Sequence, residues 1–288
     1  MSFLKKLFYP IVFIQNNFKA VVLVLILFFV FAVVSSQNVQ PPNLYRIDLY
    51  GEIFSADRFL EQVEAAKADH IRGVLLVVDS PGGGVAPSVE MMMAIRDLSR
   101  KKPVIAYASG VMASGSYYAS AWADEIVANP GGLIGSIGVV MQGVNFEKLL
   151  DALGVKIQVI KAGEYKEAGA FYRDPTPAEK AQLESVIKDV YSTFVADVAE
   201  ARGLDIEKAS AFANGRIFTP KQALAVGLID HLGGVDLAKE RLIQKAQVEK
   251  PIWNEKTDIE KLIEAALGEA KNALSALLTR ELKAKLEF

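Results

Sequence analysis

The sequence of 288 residues lacks cysteine entirely and contains only two histidines. Without cysteine, disulfide bonds, a thiolate nucleophile and a cysteine-ligated zinc site are all excluded. The net charge of −2 leaves no basic surplus, so the composition gives no reason to expect a nucleic-acid partner. Hydrophobic residues make up 51% of the chain, which is enough for one large domain or two small ones with a substantial core.

The scarcity of histidine also disfavours a Ser-His-Asp triad. His70 lies between a helical stretch and a strand, and His231 precedes a pair of glycines, so both are predicted to be surface or turn residues. The G-x-S-x-G turn of α/β-hydrolases is missing too, since Met112 and Ser116 occupy the flanking positions around Ser114. A serine nucleophile in this chain therefore needs a base other than histidine.

The hydrophobic residues are concentrated near the N-terminus, where Ala20–Val34 contains no polar side chain. With its flanks, residues 18–36, this run reaches the roughly 20 residues that cross a bilayer as a helix. Three lysines precede it and no charge follows until Arg46, so the positive-inside rule places the N-terminus in the cytoplasm and the rest outside. The alternative is a cleaved signal peptide, for which Val34 and Ser36 supply small residues.

Four segments follow from this pattern. Residues 1–36 are expected to form a cytoplasmic N-terminus and a transmembrane anchor, and 37–43 a polar linker with two prolines. Short apolar strands alternate with amphipathic helices over 44–250, which indicates an α/β domain with a mainly parallel sheet covered on both faces. Residues 251–288 have the spacing of an amphipathic helix that packs on its own domain, on a partner subunit or on a membrane surface.

Individual elements of the domain are also predicted. Strands are expected at 44–53, 71–80, 103–109, 124–130, 137–142 and 156–163, and helices at 56–69, 89–101 and 145–154. A long helix is expected to begin at Thr176 and Pro177 and to end at Gly203.

Two stretches have the composition of a catalytic site. A serine can use a neutral lysine as its base, which requires a lysine buried away from charge. Lys166 is one candidate, although its neighbours Glu164 and Glu167 are equally typical of a solvated face. The stretch "DSPGGGV", Asp79 to Val85, suits an oxyanion hole, a phosphate or coenzyme A cradle, or simply a tight turn from strand to helix.

Taken together, five segments resemble the signal peptide peptidase A family, which are serine–lysine peptidases of the ClpP/crotonase-like fold. In chain order they are "VDSPGGGV", "YASGVMASGSYYAS", "ADEIVANPGGLIGSIGVV", "KAGEYKEAGAFYRDPTPAEK" and "ANGRIFTPKQALAVGLIDHLGG". They cover roughly Leu44 to Leu242 and lie behind the N-terminal apolar run. The resemblance therefore implies this fold for the domain, preceded by a transmembrane helix.

The resemblance assigns roles to particular residues. Ser114 becomes the nucleophile, Lys166 the general base and Ser136 the hydroxyl that orients the lysine amine. The backbone N–H groups of Gly83 and Gly115 become the oxyanion donors, and neither a metal nor a cofactor is implied. Ser116 departs from the family pattern, which often has glycine there. Small or apolar residues near the nucleophile are expected to contact the substrate, namely Val85, Val111 and Met112.

The family also implies peptide substrates and assembly. A chain with one copy of the domain resembles the short form, in which a homo-oligomeric ring or dome combines serine and lysine from neighbouring subunits. The expected function is degradation of signal-peptide remnants at a bacterial inner membrane, with the catalytic domain on the periplasmic or extracytoplasmic side. Alternatives are a stomatin-processing membrane protease, a crotonase-type acyl-CoA enzyme and a catalytically silent membrane scaffold.

Overall fold

The computed structural model describes residues 17–20, 22, 24 and 40–254. The chain divides into two compact units, Met1–Pro41 and Pro42–Phe288. In the first unit the described residues 18–20, 22 and 24 are helical. Within the described residues, no helix has both the length and the apolar character that a membrane crossing requires. The predicted anchor at 18–36 lies mainly outside these residues, and the predicted amphipathic helix lies outside them from 255 onward.

The second unit is an α/β domain of seven strands and eight α-helices in its described part. The strands are β1 (Leu44–Ile53), β2 (Gly73–Gly83), β3 (Val104–Ala113), β4 (Glu125–Ala128), β5 (Leu133–Gly135), β6 (Ile217–Phe218) and β7 (His231–Leu232). The helices are α1 (Asp57–Ala66), α2 (Val85–Ser99), α3 (Gly115–Ser120), α4 (Glu147–Ala152), α5 (Pro177–Arg202), α6 (Ala209–Phe212), α7 (Pro220–Ala225) and α8 (Val235–Ala246).

The sheet is mainly parallel, as predicted. Its order is β1-β2-β3-β4-β7, with β5 joined to the second half of β3 and β6 joined to β5. Only the pair β5–β6 is antiparallel among the described pairings. Strand β3 changes partner along its length, from β4 over Ile105–Ala108 to β5 over Val111–Ala113. The sheet therefore splits just before β3 ends, which opens a crevice at the carboxyl ends of the parallel strands.

Both faces of the sheet are buried, which explains why its central strands are apolar throughout. Alternate residues of β2 enter two separate cores: Leu76 packs with α1, α2 and α5 residues, whereas Leu75 packs with α8 residues. Side chains of a strand alternate between faces, so a strand covered on both sides needs apolar residues at every position.

The long helix α5 begins and ends where the sequence predicts. The Thr176 hydroxyl accepts the Glu179 N–H, and the Glu179 carboxylate accepts the Thr176 N–H, which together form a capping box. Pro177 occupies the first helical position, and Gly203 closes the helix in the left-handed conformation at φ 61°. Helix α5 is therefore fixed at both ends by its own sequence.

Two of the predicted strands are wrong. Residues 137–142 and 156–163 contain no strand, and several of their apolar side chains face solvent, with Val140 74% exposed and Ile160 fully exposed. A strand needs a neighbouring strand for its backbone groups. The described chain supplies none to either segment, although the Gly215 N–H donates to the Ile137 carbonyl at 2.9 Å. Helix α4 between them is confirmed. The short strands β5 and β6 were not predicted, and His231, expected in a turn, begins β7 beside Glu125.

Candidate active site

Ser114 occupies the junction between β3 and α3 in a strained backbone conformation. Its φ of 53° and ψ of −123° lie in a region that L-residues rarely adopt, at a cost on the order of 1–3 kcal/mol. The Ser114 N–H donates to the Gly135 carbonyl at 2.7 Å, so strand β5 helps to hold this turn. A nucleophilic serine often lies at such a sharp, strained turn between a strand and a helix, which exposes its hydroxyl.

Close backbone approach surrounds the serine. A Cβ on Gly115 would lie 2.1 Å from Ser88 Oγ and 3.5 Å from the Gly83 nitrogen, and a Cβ on Gly83 would lie 2.2 Å from the Ile53 carbonyl oxygen. Only glycine fits at either position. Gly115 is the first residue of α3, where an N–H has no acceptor within its own helix. The Gly83 and Gly115 amides thus lie together beside Ser114, as an oxyanion hole requires.

Gly83, Ser114 and Gly115 all line one cavity of about 190 Å³. Its other lining residues are mostly apolar or small and come from α2, α3, α5 and the segment after β5: Val85, Ser88, Val89, Tyr118, Gly138, Val139, Asp189, Val190, Thr193 and Phe194. The serine therefore faces a cavity that suits an apolar side chain.

Ser116 stabilises the turn that carries Ser114 through hydrogen bonds of its buried hydroxyl. It is fully buried, its hydroxyl donates to the Ser80 carbonyl at 2.6 Å, and it accepts the Ala113 N–H at 2.9 Å. This hydroxyl joins β2 to β3 one residue before Ser114. The departure from glycine therefore adds hydrogen bonds to the turn without placing a side chain in the cavity.

Helix α5 forms one wall of the cavity through contacts with α3. Tyr118 stacks on Phe194 with ring centroids 4.3 Å apart, and its hydroxyl donates to the Asp197 carboxylate. Burial raises the pKa of Tyr118 above its ordinary value, and the hydrogen bond to Asp197 raises it further. The tyrosine is therefore a neutral donor at physiological pH. A stacked pair of this kind contributes about 0.5–1.5 kcal/mol beyond its buried area.

Ser136 lies next to this site without lining the cavity. It follows β5 at a φ of 49°, is half-buried and donates its N–H to the Arg216 carbonyl at 2.8 Å. The preceding residue, Gly135, accepts the Ser114 N–H. Two adjacent backbone bonds therefore fix the position of Ser136 relative to Ser114.

The structure does not bring every predicted residue to the cavity. Lys166 is exposed, and the described residues that line the cavity do not include it. Met112 is fully buried in the core, paired with Ile134, and Val111 pairs with Leu133 on the neighbouring strand. Among the three predicted substrate contacts, the cavity includes Val85 alone; Met112 lies in the core, and the half-buried Val111 is not among the lining residues.

Comparison with known proteins identifies the family. Residues 96–249 match the sequence profile of Peptidase family S49. A putative protease of Synechocystis sp. is 40% identical over 200 residues, which cover 69% of this chain and 72% of that protein. The chain belongs to peptidase family S49. It is a serine peptidase that acts on peptides, and its family favours this activity over the acyl-CoA chemistry that shares the fold.

Other S49 relatives are matched over part of their length. A putative signal peptide peptidase of Enterococcus faecium is 33% identical over 204 residues, which cover 68% of this chain and 59% of that protein. The chain therefore matches less than two thirds of this relative. A solved structure of a membrane-bound stomatin-specific protease with a substrate peptide superposes with a TM-score of 0.46 at 18% identity, covering 79% of this chain and 99% of that one.

Sequence reasoning missed the contribution of α5 to the S49 site. Asp189, Val190, Thr193 and Phe194 recur at helical spacing on one face of α5 and line the cavity. Phe194 is buried, in keeping with an apolar position on an amphipathic helix. The signal was present as a periodic face, but nothing in the sequence indicates which partner that face covers.

Proposed function

We propose that this S49 peptidase is a membrane-anchored endopeptidase that uses a Ser114–Lys166 dyad. The strained turn of Ser114 beside the Gly83 and Gly115 amides carries the proposal, because it supplies a nucleophile and oxyanion donors at one point. Ser114 Oγ attacks the peptide carbonyl while the neutral Lys166 amine takes its proton. The carbonyl oxygen becomes an oxyanion that the two amides stabilise.

The remaining steps conserve the proton. The lysine ammonium donates its proton to the departing amine as the C–N bond breaks, which leaves an acyl-enzyme on Ser114. Lys166 then takes a proton from water, and the resulting hydroxide attacks the ester carbonyl. Collapse of that intermediate releases the acid product and returns the proton to Ser114 Oγ. Ser136 is proposed to orient the lysine amine through its hydroxyl.

Lys166 is proposed to serve the Ser114 of a neighbouring copy. Glu167, next to it, contacts Arg173, which also binds Glu179 in the first turn of α5. The cavity begins at Asp189, ten residues further along α5, or about 15 Å at the rise of an α-helix. The residues described as lining the cavity do not include Lys166, and this separation along α5 supports a site shared between copies.

The segment that carries Lys166 also has the composition of an interface. Between 140 and 171 many large apolar side chains are exposed: Val140, Met141, Val144, Phe146, Leu149, Leu153, Val155, Ile157, Val159, Ile160, Tyr165 and Phe171. Apolar residues at this density are unusual on a monomer surface and typical of an interface. We therefore expect a closed homo-oligomer, a ring or dome, in which this segment packs on the next copy.

The proposed substrates are signal-peptide remnants. The cavity beside Ser114 is lined largely by apolar and small residues, which suits the apolar side chains of such peptides. An anchor at 18–36 with its lysines on the cytoplasmic side would hold the catalytic domain at the outer surface of a bacterial inner membrane. Cleavage of a synthetic signal peptide and of a stomatin-derived segment, compared under the same conditions, separates this function from the stomatin-processing alternative.

Subunit mixing tests the shared dyad. Ser114→Ala and Lys166→Ala chains are prepared alone and co-expressed with different tags, and the doubly tagged assembly is assayed for peptide hydrolysis. We expect each variant alone to be inactive and a random mixture to recover about a quarter of the wild-type activity, since a quarter of its sites combine an intact serine with an intact lysine. An inactive mixture would contradict sharing, and activity in either variant alone would contradict the dyad.

A further inference from the structure

The loop that carries Lys166 is held by side chains. Between 155 and 175 the described chain forms neither helix nor strand. Local turns shape the loop: the Lys166 N–H donates to the Gly163 carbonyl at 3.4 Å, and the Ala168 N–H donates to the Tyr165 carbonyl at 3.0 Å. Such turns define the curvature of a loop, but they do not fix its place on the molecule.

Glu167 provides the first anchor of this loop. Its carboxylate accepts from Lys161 Nζ at 2.8 Å, from the Tyr172 hydroxyl at 2.6 Å and from Arg173 Nη2 at 3.4 Å. Three donors thus converge on the residue directly after Lys166. The hydrogen bond from Lys161, followed by that from Tyr172, lowers the pKa of Glu167, so the carboxylate is charged at neutral pH.

Arg173 extends this anchor to the start of α5. Its guanidinium donates to both oxygens of Glu179, at 2.8 and 2.7 Å, in a bidentate pair. The Glu179 side chain is only 3% exposed and belongs to the capping box with Thr176. Arg173 therefore connects Glu167 to a carboxylate that is built into the first turn of α5, and the planar fork of arginine suits two acceptors better than lysine does.

The opposite half of α5 is fixed to the nucleophile. Phe194 stacks on Tyr118, and Asp197 accepts the Tyr118 hydroxyl, on the helix that follows Ser114. One rigid helix is thus tied at one end to the serine turn of its own chain, and at the other end to the lysine loop that is proposed to serve a neighbouring copy. A displacement of about 1 Å between catalytic groups can reduce a rate by about a hundredfold, so the lysine end needs a defined position.

We propose that Glu167 and Arg173 are positioning residues. They hold the Lys166 loop on the N-terminus of α5 so that the lysine amine reaches the Ser114 that it serves in a neighbouring copy. The inference rests on the proposed role of Lys166 as the base. Neither residue lines the cavity with Ser114, so neither touches the reacting atoms there. They act through Lys166 alone: their removal leaves peptide binding intact and moves the base away from its working position.

Three variants test the anchor while preserving the fold. Glu167→Gln keeps the shape of the side chain and leaves the Arg173–Glu179 pair and the capping box in place. Arg173→Lys keeps a charge for the buried Glu179 carboxylate but loses the fork. Tyr172→Phe removes one hydroxyl donor only. We expect kcat to fall by about ten- to a hundredfold in the first two and less in the third, with KM unchanged.

Arg100→Gln is the matched control. It removes an exposed arginine at the C-terminal end of α2, which pairs with the Asp97 carboxylate at 3.7 Å outside the cavity. This variant should keep the wild-type kcat and KM. Light scattering and thermal unfolding of every variant establish that the assembly and the fold are retained.

A double-mutant comparison separates positioning from a general structural role. In a Lys166→Ala background, ethylamine is added as a substitute base, and the rate of hydrolysis that it supports is measured with and without Glu167→Gln. If Glu167 acts only through Lys166, the amine-supported rate does not change. Two results would overturn the inference. One is that Glu167→Gln lowers the amine-supported rate by the same factor as it lowers the rate of the wild-type enzyme. The other is that both Glu167→Gln and Arg173→Lys keep kcat within twofold of wild type.

The same set distinguishes failure of the inference from failure of the proposed function. Activity retained by Lys166→Ala overturns the role of the lysine, and with it the positioning role. An inactive Lys166→Ala combined with fully active Glu167→Gln and Arg173→Lys overturns the positioning role alone. The expected pattern is an inactive Lys166→Ala, partial loss in the anchor variants and wild-type activity in Arg100→Gln.

Discussion

The serine half and the lysine half of the proposed dyad are built in opposite ways. Around Ser114 the chain is buried, the strands are paired, and close packing leaves no room for a Cβ at Gly83 or Gly115. Around Lys166 the chain has no regular structure, its apolar side chains face outward, and ion pairs supply the anchorage. The first region is packed by residues of the same chain, whereas the second has apolar surfaces that the described part of the chain leaves exposed.

This difference separates two requirements of catalysis. A nucleophile and its oxyanion donors must be preorganised, and burial in a close-packed core provides that organisation. A base that serves a neighbouring copy must instead extend from its own domain, and contacts such as those of Glu167 and Arg173 hold its loop in place within its own chain. The proposed sharing makes activity depend on assembly, because under it a lone chain has a prepared nucleophile without a base beside it.

The largest effect is expected from the serine half. Ser114→Ala removes the nucleophile and should lower kcat/KM for a fluorogenic apolar peptide by at least about a thousandfold. Ser109→Ala is the control, since the Ser109 hydroxyl donates only to the Val78 carbonyl, at 3.1 Å, and lies earlier on β3. The control should keep full activity. Comparable loss in both variants would show that the strand, and not the hydroxyl of Ser114, is at issue.

The next effect tests whether close packing holds the oxyanion hole. Gly115→Ala would place a Cβ 2.1 Å from Ser88 Oγ and so displace the α3 amide from its position. We expect kcat to fall by about a hundredfold, similar to the loss of one oxyanion donor. Adding Ser88→Gly removes the clashing atoms, and kcat of the double variant should be at least about tenfold higher than that of Gly115→Ala. A double variant no more active than Gly115→Ala would contradict this packing argument.

The sequence predicts the two halves unequally for the same physical reasons. The apolar strands β1 to β4, helix α5 and its caps follow from local pattern, because burial on two faces and end capping are encoded residue by residue. The glycines of "DSPGGGV" indicated a close approach, and Gly83 has one. Residues 137–142 and 156–163 have the composition of strands, but their pattern does not say whether the chain itself supplies a neighbouring strand.

Contacts between segments that are distant in the sequence could not be predicted from local sequence patterns. Nothing in the sequence near Tyr118 indicates that Phe194 and Asp197 cover it, since the pairing depends on where α5 crosses the sheet. The roles of Ser114 and Lys166 came from resemblance to a family, whereas composition alone left the lysine one candidate among many. The geometry adds support for Ser114 through its strained turn, and the role of Lys166 remains a proposal.

The third effect probes the exposed half. Ile160→Asp introduces a charge where a fully exposed isoleucine is expected to pack on a second copy. Burial of an unpaired carboxylate opposes association, so we expect smaller assemblies by light scattering and about tenfold lower activity at a fixed chain concentration. Ile206→Asp makes the same change at a half-exposed isoleucine outside the segment, and should leave both properties unchanged. Equal dissociation in both would count against an interface at 140–171.

The smallest expected effect is on thermal stability. Its pH dependence shows whether the charge of Glu179 or the packing of its side chain holds the lysine half on α5. Hydrogen bonds from Arg173 and then from the Thr176 backbone lower the pKa of Glu179 from 4.5 to about 2. A lowered carboxylate pKa stabilises the fold above the unfolded value and ceases to do so as pH falls through the folded value. The difference in Tm between wild type and Glu179→Gln should therefore be full above about pH 4.5 and shrink toward pH 2. Glu64→Gln, which breaks an exposed pair with Lys67, should show a much smaller difference throughout. A pH-independent difference for Glu179→Gln would mean that packing, and not charge, fixes the lysine half to α5.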